Sequence, residues 1–168
     1  MLIVISGLPG TGKSAIADGL GRALGMPVLS VDPIESAVLR AGIPRSFETG
    51  YAAYLVAEAL ADSHLRLGLG SVIDAVSSVE PGRDLWREVA KRHAVPLRIV
   101  VCTIADEETH RSRFRSRQRG LALGEPRWED VERRRMEWTP WPEPHLVLDS
   151  AEPLEVNLAA AVRYVTAS

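Results

Sequence analysis

The sequence predicts an α/β protein, a three-layer sandwich in which helices cover both faces of a five-stranded parallel sheet. Short apolar runs alternate along the chain with segments of helical periodicity, which is the pattern of β-α-β units. The run 97–104 is almost continuously apolar, as expected for a strand that is buried on both faces. The length of 168 residues suits one domain, 1–168, and apolar and charged fractions of 46% and 25% are ordinary for a soluble globular protein.

Five apolar segments bounded by turn residues are the predicted strands. They span residues 2–6, 28–31, 71–75, 97–104 and 145–148. Because the crossovers of β-α-β units are right-handed, these strands would run parallel, and a ligand would bind beyond their carboxyl ends. We therefore expect functional side chains directly after the strands.

The segments between the strands are predicted helices. They span approximately residues 13–24, 32–41, 50–67, 83–93, 106–119, 128–138 and 153–165. The second of them has a start signature, with Asp32 at N-cap, Pro33 at N1 and Glu35 at N3. Residues 120–127 are predicted to form a loop.

The residues that follow the first strand form a phosphate-binding loop, G-x-x-x-x-G-K-[ST]. The motif comprises Gly7, Leu8, Pro9, Gly10, Thr11, Gly12, Lys13 and Ser14. Its glycines let the backbone approach a phosphate closely, and its N–H groups and the helix N-terminus that follows both favour an anion. The competing interpretation is a glycine-rich turn that only joins a strand to a helix.

The loop predicts ATP and Mg²⁺ as cofactors. Lys13 would reach the β- and γ-phosphates, and the Ser14 hydroxyl would ligate Mg²⁺. Asp74 ends the third strand, which should lie beside the first, so its carboxylate would hold the same ion directly or through water. The alternative is an Asp that only ends a strand. The guanine-reading motif N-K-x-D is absent, because Asn157 is the only Asn.

The phosphate-binding loop, Asp32 after the second strand, Asp74 at the end of the third and an Arg-rich helix after the fourth together resemble the small P-loop kinases. This group of P-loop NTPases, of nucleoside-kinase-like fold, includes chloramphenicol phosphotransferase, the zeta toxins, the kinase part of polynucleotide kinases and predicted kinases. The resemblance covers nearly the whole chain and implies transfer of a γ-phosphoryl group to a hydroxyl of a small molecule. Related kinases often continue the third strand with Asp-Ala-Thr-Asn, whereas Val76 and Ser77 stand here in place of Thr and Asn. The acceptor therefore does not carry over from the group.

The resemblance also implies catalytic roles for side chains besides Lys13. Asp32 would be the general base, because an alcohol needs an acceptor for its proton, and the alternative is an Asp that only caps its helix. Arg115 and Arg119 would stabilise charge on the transferring phosphoryl group, and Arg111 and Arg115 would bind the nucleotide, in part by stacking on its base. A short Arg-rich lid would span approximately residues 115–138, with the loop 120–127 within it. The alternative is a set of solvated arginines that pair in part with nearby glutamates.

The positive charge of the chain is local. Residues 111–135 carry nine Arg against four acidic residues, a net charge of +5, so the remainder carries −7 of the total of −2. This distribution favours a small anion over a long polyanion, and we expect no nucleic-acid partner. Arg133, Arg134 and Arg135 would form a solvated helix face, or alternatively reach the substrate.

The remaining reactive or aromatic residues are predicted to be structural. Trp128, Trp138 and Trp141 would pack in the lid and the core. Cys102 lies in an apolar run and would be a small core residue. The four His show no metal-ligand spacing with this cysteine, so no zinc site is expected.

Two further function classes stay open. One is a nucleotide-dependent switch or NTPase without an acceptor, which is disfavoured because Ala75, and not a Glu that could polarise water, follows Asp74. The other is a polynucleotide 5′-hydroxyl kinase or RNA-binding module that uses the Arg-rich helix. The N-terminal residues show no basic leader and no apolar run approaches 18 residues, so we expect a cytoplasmic protein without a membrane partner. The sequence determines neither the acceptor nor the oligomeric state.

Overall fold

The structure confirms the predicted parallel sheet. The computed structural model describes residues 1–116, 120–122 and 127–167. The strands in these ranges are β1 (Leu2–Ser6), β2 (Val28–Ser30), β3 (Ser71–Asp74), β4 (Leu97–Thr103) and β5 (His145–Asp149). They form one parallel sheet in the order β2-β3-β1-β4-β5, which places the third strand beside the first as predicted.

Helices connect all of these strands. In the described ranges they are α1 (Lys13–Leu24), α2 (Val31–Arg40), α3 (Phe47–Arg66), α4 (Glu80–Arg92), α5 (Glu107–Ser116), α6 (Trp128–Glu137) and α7 (Leu154–Thr166). Helix α3 begins earlier than predicted because Ser46 and Thr49 form a capping box, in which each side-chain oxygen accepts the N–H of the other residue. No helix within the described ranges combines the length and the apolar composition of a membrane span.

The sheet is buried on both faces, as its apolar strands predict. Alternate residues of β1 point to opposite layers, so that Leu2 and Val4 pack towards α3 and α4 whereas Ile3 and Ile5 pack towards α1 and α7. All four of these side chains are fully buried. Cys102 lies in the second layer and is 1% exposed, which confirms it as a core residue.

A small third cluster lies at the carboxyl edge of the sheet. Phe114 of α5 packs there with Trp128 and Val131 of α6, and Leu8 of the phosphate-binding loop contacts the cluster. Trp141 is buried in the main core. These contacts confirm that Trp128 and Trp141 are packing residues, and they attach α5 and α6 to the loop.

Candidate active site

The phosphate-binding loop connects β1 to α1 at the carboxyl edge of the sheet. Gly7 has a φ of 144°, and a Cβ at this position would lie 2.3 Å from the carbonyl oxygen of Cys102. Gly12 has a φ of 78°, in the left-handed region, directly before the first turn of α1. Side chains are disfavoured at both positions, so the glycines allow the loop to lie against β4 and then to turn into the helix.

Lys13 is held over the loop and does not extend into solvent. Its side chain is 8% exposed, and Nζ donates a hydrogen bond to the carbonyl oxygen of Leu8 across 3.0 Å. Thr11 Oγ1 donates to the same oxygen across 2.8 Å. The Lys13 ammonium group and the Thr11 hydroxyl therefore both bond to the carbonyl oxygen of Leu8.

Ser14 and Asp74 are brought together as the predicted metal ligands. Ser14 Oγ donates to Asp74 Oδ2 across 2.7 Å, and Ser30 Oγ donates to the same oxygen across 3.2 Å. The sheet register causes this convergence, because Asp74 pairs with Ile5 of β1 on one side and with Ser30 of β2 on the other. Hydroxyl and carboxylate oxygens are the hard donors that Mg²⁺ prefers, so this pair fits the ion.

The expectation that Asp32 caps α2 is wrong. The helix begins at Val31, the N-cap position belongs to Ser30, and Asp32 is the second helical residue. Pro33 does not fix the helix start, because none of the first four N–H groups of a helix has a partner within the helix and a proline is tolerated there. The side chain of Ser30 makes no capping hydrogen bond and bonds to Asp74 instead. Helix capping therefore does not account for Asp32.

Asp32 and several other charged residues act electrostatically on side chains of α2 and α3. Burial raises the pKa of Glu35, which lies one turn further along α2; Asp32 also raises this pKa, whereas Arg45 and Arg134 lower it. Asp32 and Arg134 also act on the pKa of Tyr54, which burial raises. Arg134 thus lies near α2 and α3 instead of on a wholly solvated face, unlike Arg133, which pairs with Asp130 on the surface.

The segment that follows β3 is fixed by hydrogen bonds. Ser77 is 1% exposed and has a φ of 46°. Its N–H donates to the Tyr54 hydroxyl across 3.1 Å, and its Oγ accepts from Trp86 Nε1 across 3.1 Å. Related kinases often carry a Thr and an Asn at positions 76 and 77. In this chain Ser77 instead supports the backbone that follows β3.

Arg83 supports the same segment, although no sequence pattern indicates this role. Its side chain is fully buried, with the guanidinium 4.4 Å from the centre of the Trp141 ring. Nε donates to the Ser77 carbonyl across 2.9 Å, and Nη2 donates to the Thr139 carbonyl across 2.6 Å. This one side chain joins the residues after β3 to the residues before β5.

The arginines of α5 point in different directions. Arg111 lies over the Trp128 ring, 5.5 Å from its centre, and Arg113 donates to the carbonyl of Ser150. Arg115 is exposed and lines an open groove with Glu107, Glu108 and Arg111. Arg117 and Arg119 lie outside the described residues. The roles predicted for Arg111, Arg115 and Arg119 stay predictions.

Two residues that hold the loop from outside were not singled out by sequence reasoning. Ser150, directly after β5, donates from Oγ to the carbonyl of Thr11 across 2.5 Å. His110 contacts the carbonyl of Pro9 through Nε2 across 2.8 Å. A signal existed for both: Ser150 follows a strand at the carboxyl edge, and His110 is four residues before Phe114 on the apolar face of an otherwise charged helix.

The comparisons with known proteins agree with this geometry. A family model described as the AAA domain matches residues 2–137. Among solved structures, a candidate kinase from Chloroflexus aurantiacus has 24% identity and a TM-score of 0.76, with 98% of this chain and 92% of that chain covered. A gluconokinase from Sinorhizobium meliloti has 18% identity and a TM-score of 0.73, with 97% and 90% covered.

The APS kinase of Mycobacterium tuberculosis, in complex with AMPPNP and APS, has 19% identity and a TM-score of 0.70, with 99% of this chain and 97% of that chain covered. No curated protein matches this chain in sequence. The common fold is that of the P-loop kinases, a parallel sheet flanked by helices.

Proposed function

We propose, since the chain belongs to the AAA-domain family, that it is an ATP-dependent kinase that moves the γ-phosphoryl group to a hydroxyl of a small molecule. The observation that carries the proposal is the 2.7 Å contact between Ser14 and Asp74 at the phosphate-binding loop. It unites a phosphate site and an oxygen-donor pair for a cation at the edge where α/β proteins bind their ligands. The Asp32 carboxylate, on the helix α2 that follows β2, is the third functional group at this edge.

The loop amides and Lys13 would hold the β- and γ-phosphates. The ammonium group is held over the loop, where it bonds to the Leu8 carbonyl, and this position would let it bind a phosphate oxygen. Ser14 and Asp74 would hold Mg²⁺, which neutralises phosphate charge when it is bound. Both functions depend on oxygens and nitrogens that the fold has already brought together.

Asp32 would act as the general base. As the acceptor oxygen bonds to the γ-phosphorus, the bond from phosphorus to the β–γ bridging oxygen breaks, ADP leaves with that electron pair, and the hydroxyl proton passes to Asp32. The support for this role is that Asp32 stands in the first turn of the helix that follows β2 and is not the helix cap. Arg115 or Arg119 would stabilise the charge of the phosphoryl group in transfer.

The acceptor would bind between α2, α3 and α6. Glu35, Tyr54, Arg45 and Arg134 supply both signs of charge and a hydroxyl in this region. Polar groups of this kind suit a hydrogen-bonding acceptor such as a sugar, a hydroxy acid or a nucleoside better than an apolar alcohol.

An acceptor screen tests the proposal. The protein is incubated with ATP and Mg²⁺ and a library of sugars, hydroxy acids, nucleosides and hydroxylated antibiotics, and ADP release is compared with the reaction without an acceptor. We expect at least one acceptor to raise the rate about tenfold or more and to yield one phosphorylated product per ADP. ATP hydrolysis that no acceptor changes would instead indicate a nucleotide-dependent switch, and phosphorylation of only 5′-hydroxyl oligonucleotides a polynucleotide kinase.

A further inference from the structure

A buried histidine outside the phosphate-binding loop is bonded to the loop backbone. His110 of α5 is 1% exposed, and its Nε2 lies 2.8 Å from the carbonyl oxygen of Pro9. A carbonyl can only accept, so Nε2 carries a proton and donates it. On the other side of the ring, Arg135 of α6 lies with Nη2 3.1 Å from Nδ1. Because a guanidinium can only donate, Nδ1 is unprotonated and the imidazole is neutral.

An aromatic ring and the loop backbone also contact this imidazole. The Trp128 ring meets it edge-on, with ring centres 5.1 Å apart. A Cβ built on Gly10 would lie 3.4 Å from the His110 ring, so the ring reaches both residues of the Pro9–Gly10 turn. Pro9 is itself buried, and a side chain at position 110 that cannot donate would leave its carbonyl without this hydrogen bond.

The charges that face the ring favour its neutral form. Burial is the main cause of the lowered pKa of His110, and the positive charges of Arg135 and Lys13 lower it further. The hydrogen bond to Pro9 and the negative charge of Glu107 act in the opposite direction. The folded protein therefore prefers neutral His110, and this preference is fully present above the unfolded pKa of about 6.5 and is lost as the pH falls below it.

We propose that neutral His110 is a positioning residue, which fixes the Pro9–Gly10 turn for nucleotide binding and connects the phosphate-binding loop through Arg135 to α6. The inference rests on the proposed function, because it requires that the loop binds a nucleotide. His110 acts through the loop backbone. Its removal should therefore change nucleotide affinity.

Two substitutions at this position separate the hydrogen bond from the packing. In His110→Leu the donor is lost and the apolar volume is kept, whereas in His110→Gln the side-chain amide can still donate to Pro9 and accept from Arg135. In calorimetric titrations with MgADP we expect the Kd of His110→Leu to rise about tenfold and that of His110→Gln to stay within about threefold of the wild type. A Leu variant that binds like the wild type, or a Gln variant as weak as the Leu variant, would overturn the inference.

A second test begins with the wild-type protein, for which the tautomer of His110 can be measured without any variant. In ¹⁵N spectra of histidine-labelled protein at pH 7, His110 should show the tautomer with a proton on Nε2 only, and its titration midpoint should lie below about 6.5. The MgADP affinity of the wild type should fall more steeply below pH 6.5 than that of His110→Gln. A proton on Nδ1 at pH 7, or equal pH dependence of the two proteins, contradicts the role. If the wild-type protein binds no MgADP, the proposed function is contradicted as well. If the wild type binds MgADP and the variants bind it equally well, only the role of His110 is contradicted.

Discussion

Ser14 Oγ donates a hydrogen bond to Asp74 Oδ2 across 2.7 Å, and this contact joins the first turn of α1 to the end of β3. Asp74 is 5% exposed, so packing within the fold holds its carboxylate towards the loop. The contact defines the point at which a divalent cation would meet the phosphates of a nucleotide.

Asp74→Asn should remove most of the effect of magnesium on nucleotide binding. An amide lacks the negative charge that attracts the cation, so the gain in ADP affinity on addition of Mg²⁺ should fall about tenfold or more. Titration calorimetry with and without Mg²⁺ measures this gain. Asp18→Asn, an exposed change on α1, is the control and should behave as wild type. A full magnesium effect in Asp74→Asn would show that Asp74 only ends the strand.

Asp32→Asn should preserve nucleotide binding and slow phosphoryl transfer. Without the carboxylate, the acceptor hydroxyl has no base, and the rate should fall about 100-fold or more. Asn has nearly the size of Asp and is equally tolerated at a helix start, so the variant should stay folded, with a thermal unfolding midpoint close to that of the wild type. The rate with saturating ATP and acceptor is the measurement. Normal turnover in this variant would exclude Asp32 as the base.

Arg83→Met should destabilise the fold strongly although Arg83 is not a catalytic candidate. The change removes the donors that satisfy the carbonyls of Ser77 and Thr139 inside the protein, which should cost about 3 kcal/mol in the free energy of unfolding. Urea unfolding followed by circular dichroism gives this value. Arg92→Met, on the exposed side of the same helix, should unfold at the wild-type urea concentration. Equal midpoints for the two variants would contradict the role of Arg83.

Cys102 should be unreactive in the folded protein. Burial raises the pKa of its thiol to about 12, so almost no thiolate is present at pH 8. A thiol reagent such as Ellman's reagent should label native protein only at the rate of its unfolding and should label protein in denaturant at once. Rapid, stoichiometric labelling of native protein would show that β4 opens readily or that the thiol lies at the surface.

The sheet and the contact between Ser14 and Asp74 could be predicted from the sequence because both follow from local patterns and simple topology. The apolar runs fix the strands, and parallel crossovers bring the residues that follow them to one edge. Asp74 and Ser14 are 60 residues apart, yet strand order alone predicts their proximity. The loop glycines likewise reflect backbone requirements that residue type alone indicates.

The supports of the site could not be predicted in the same way. Arg83 meets Thr139 across 56 residues, and no periodicity indicates such a pairing. His110 depends on α6 packing over α5, which is a tertiary contact between two charged helices. The predicted start of α2 lies later than the observed one because an Asp-Pro pair fits several positions in a first helical turn. Helix signatures therefore locate an element better than they locate its first residue.

The most direct test of the account is the binding of nucleotide to Lys13 and its loop. Lys13 and Lys91 are the only lysines of the chain, and Lys91 is exposed on α4, so Lys91→Ala is a matched control for Lys13→Ala. In calorimetric titrations with MgADP we expect binding to wild type and to Lys91→Ala, and an affinity at least about 100-fold lower for Lys13→Ala. Equal binding by all three proteins, or no binding by the wild type at millimolar nucleotide, would contradict the account.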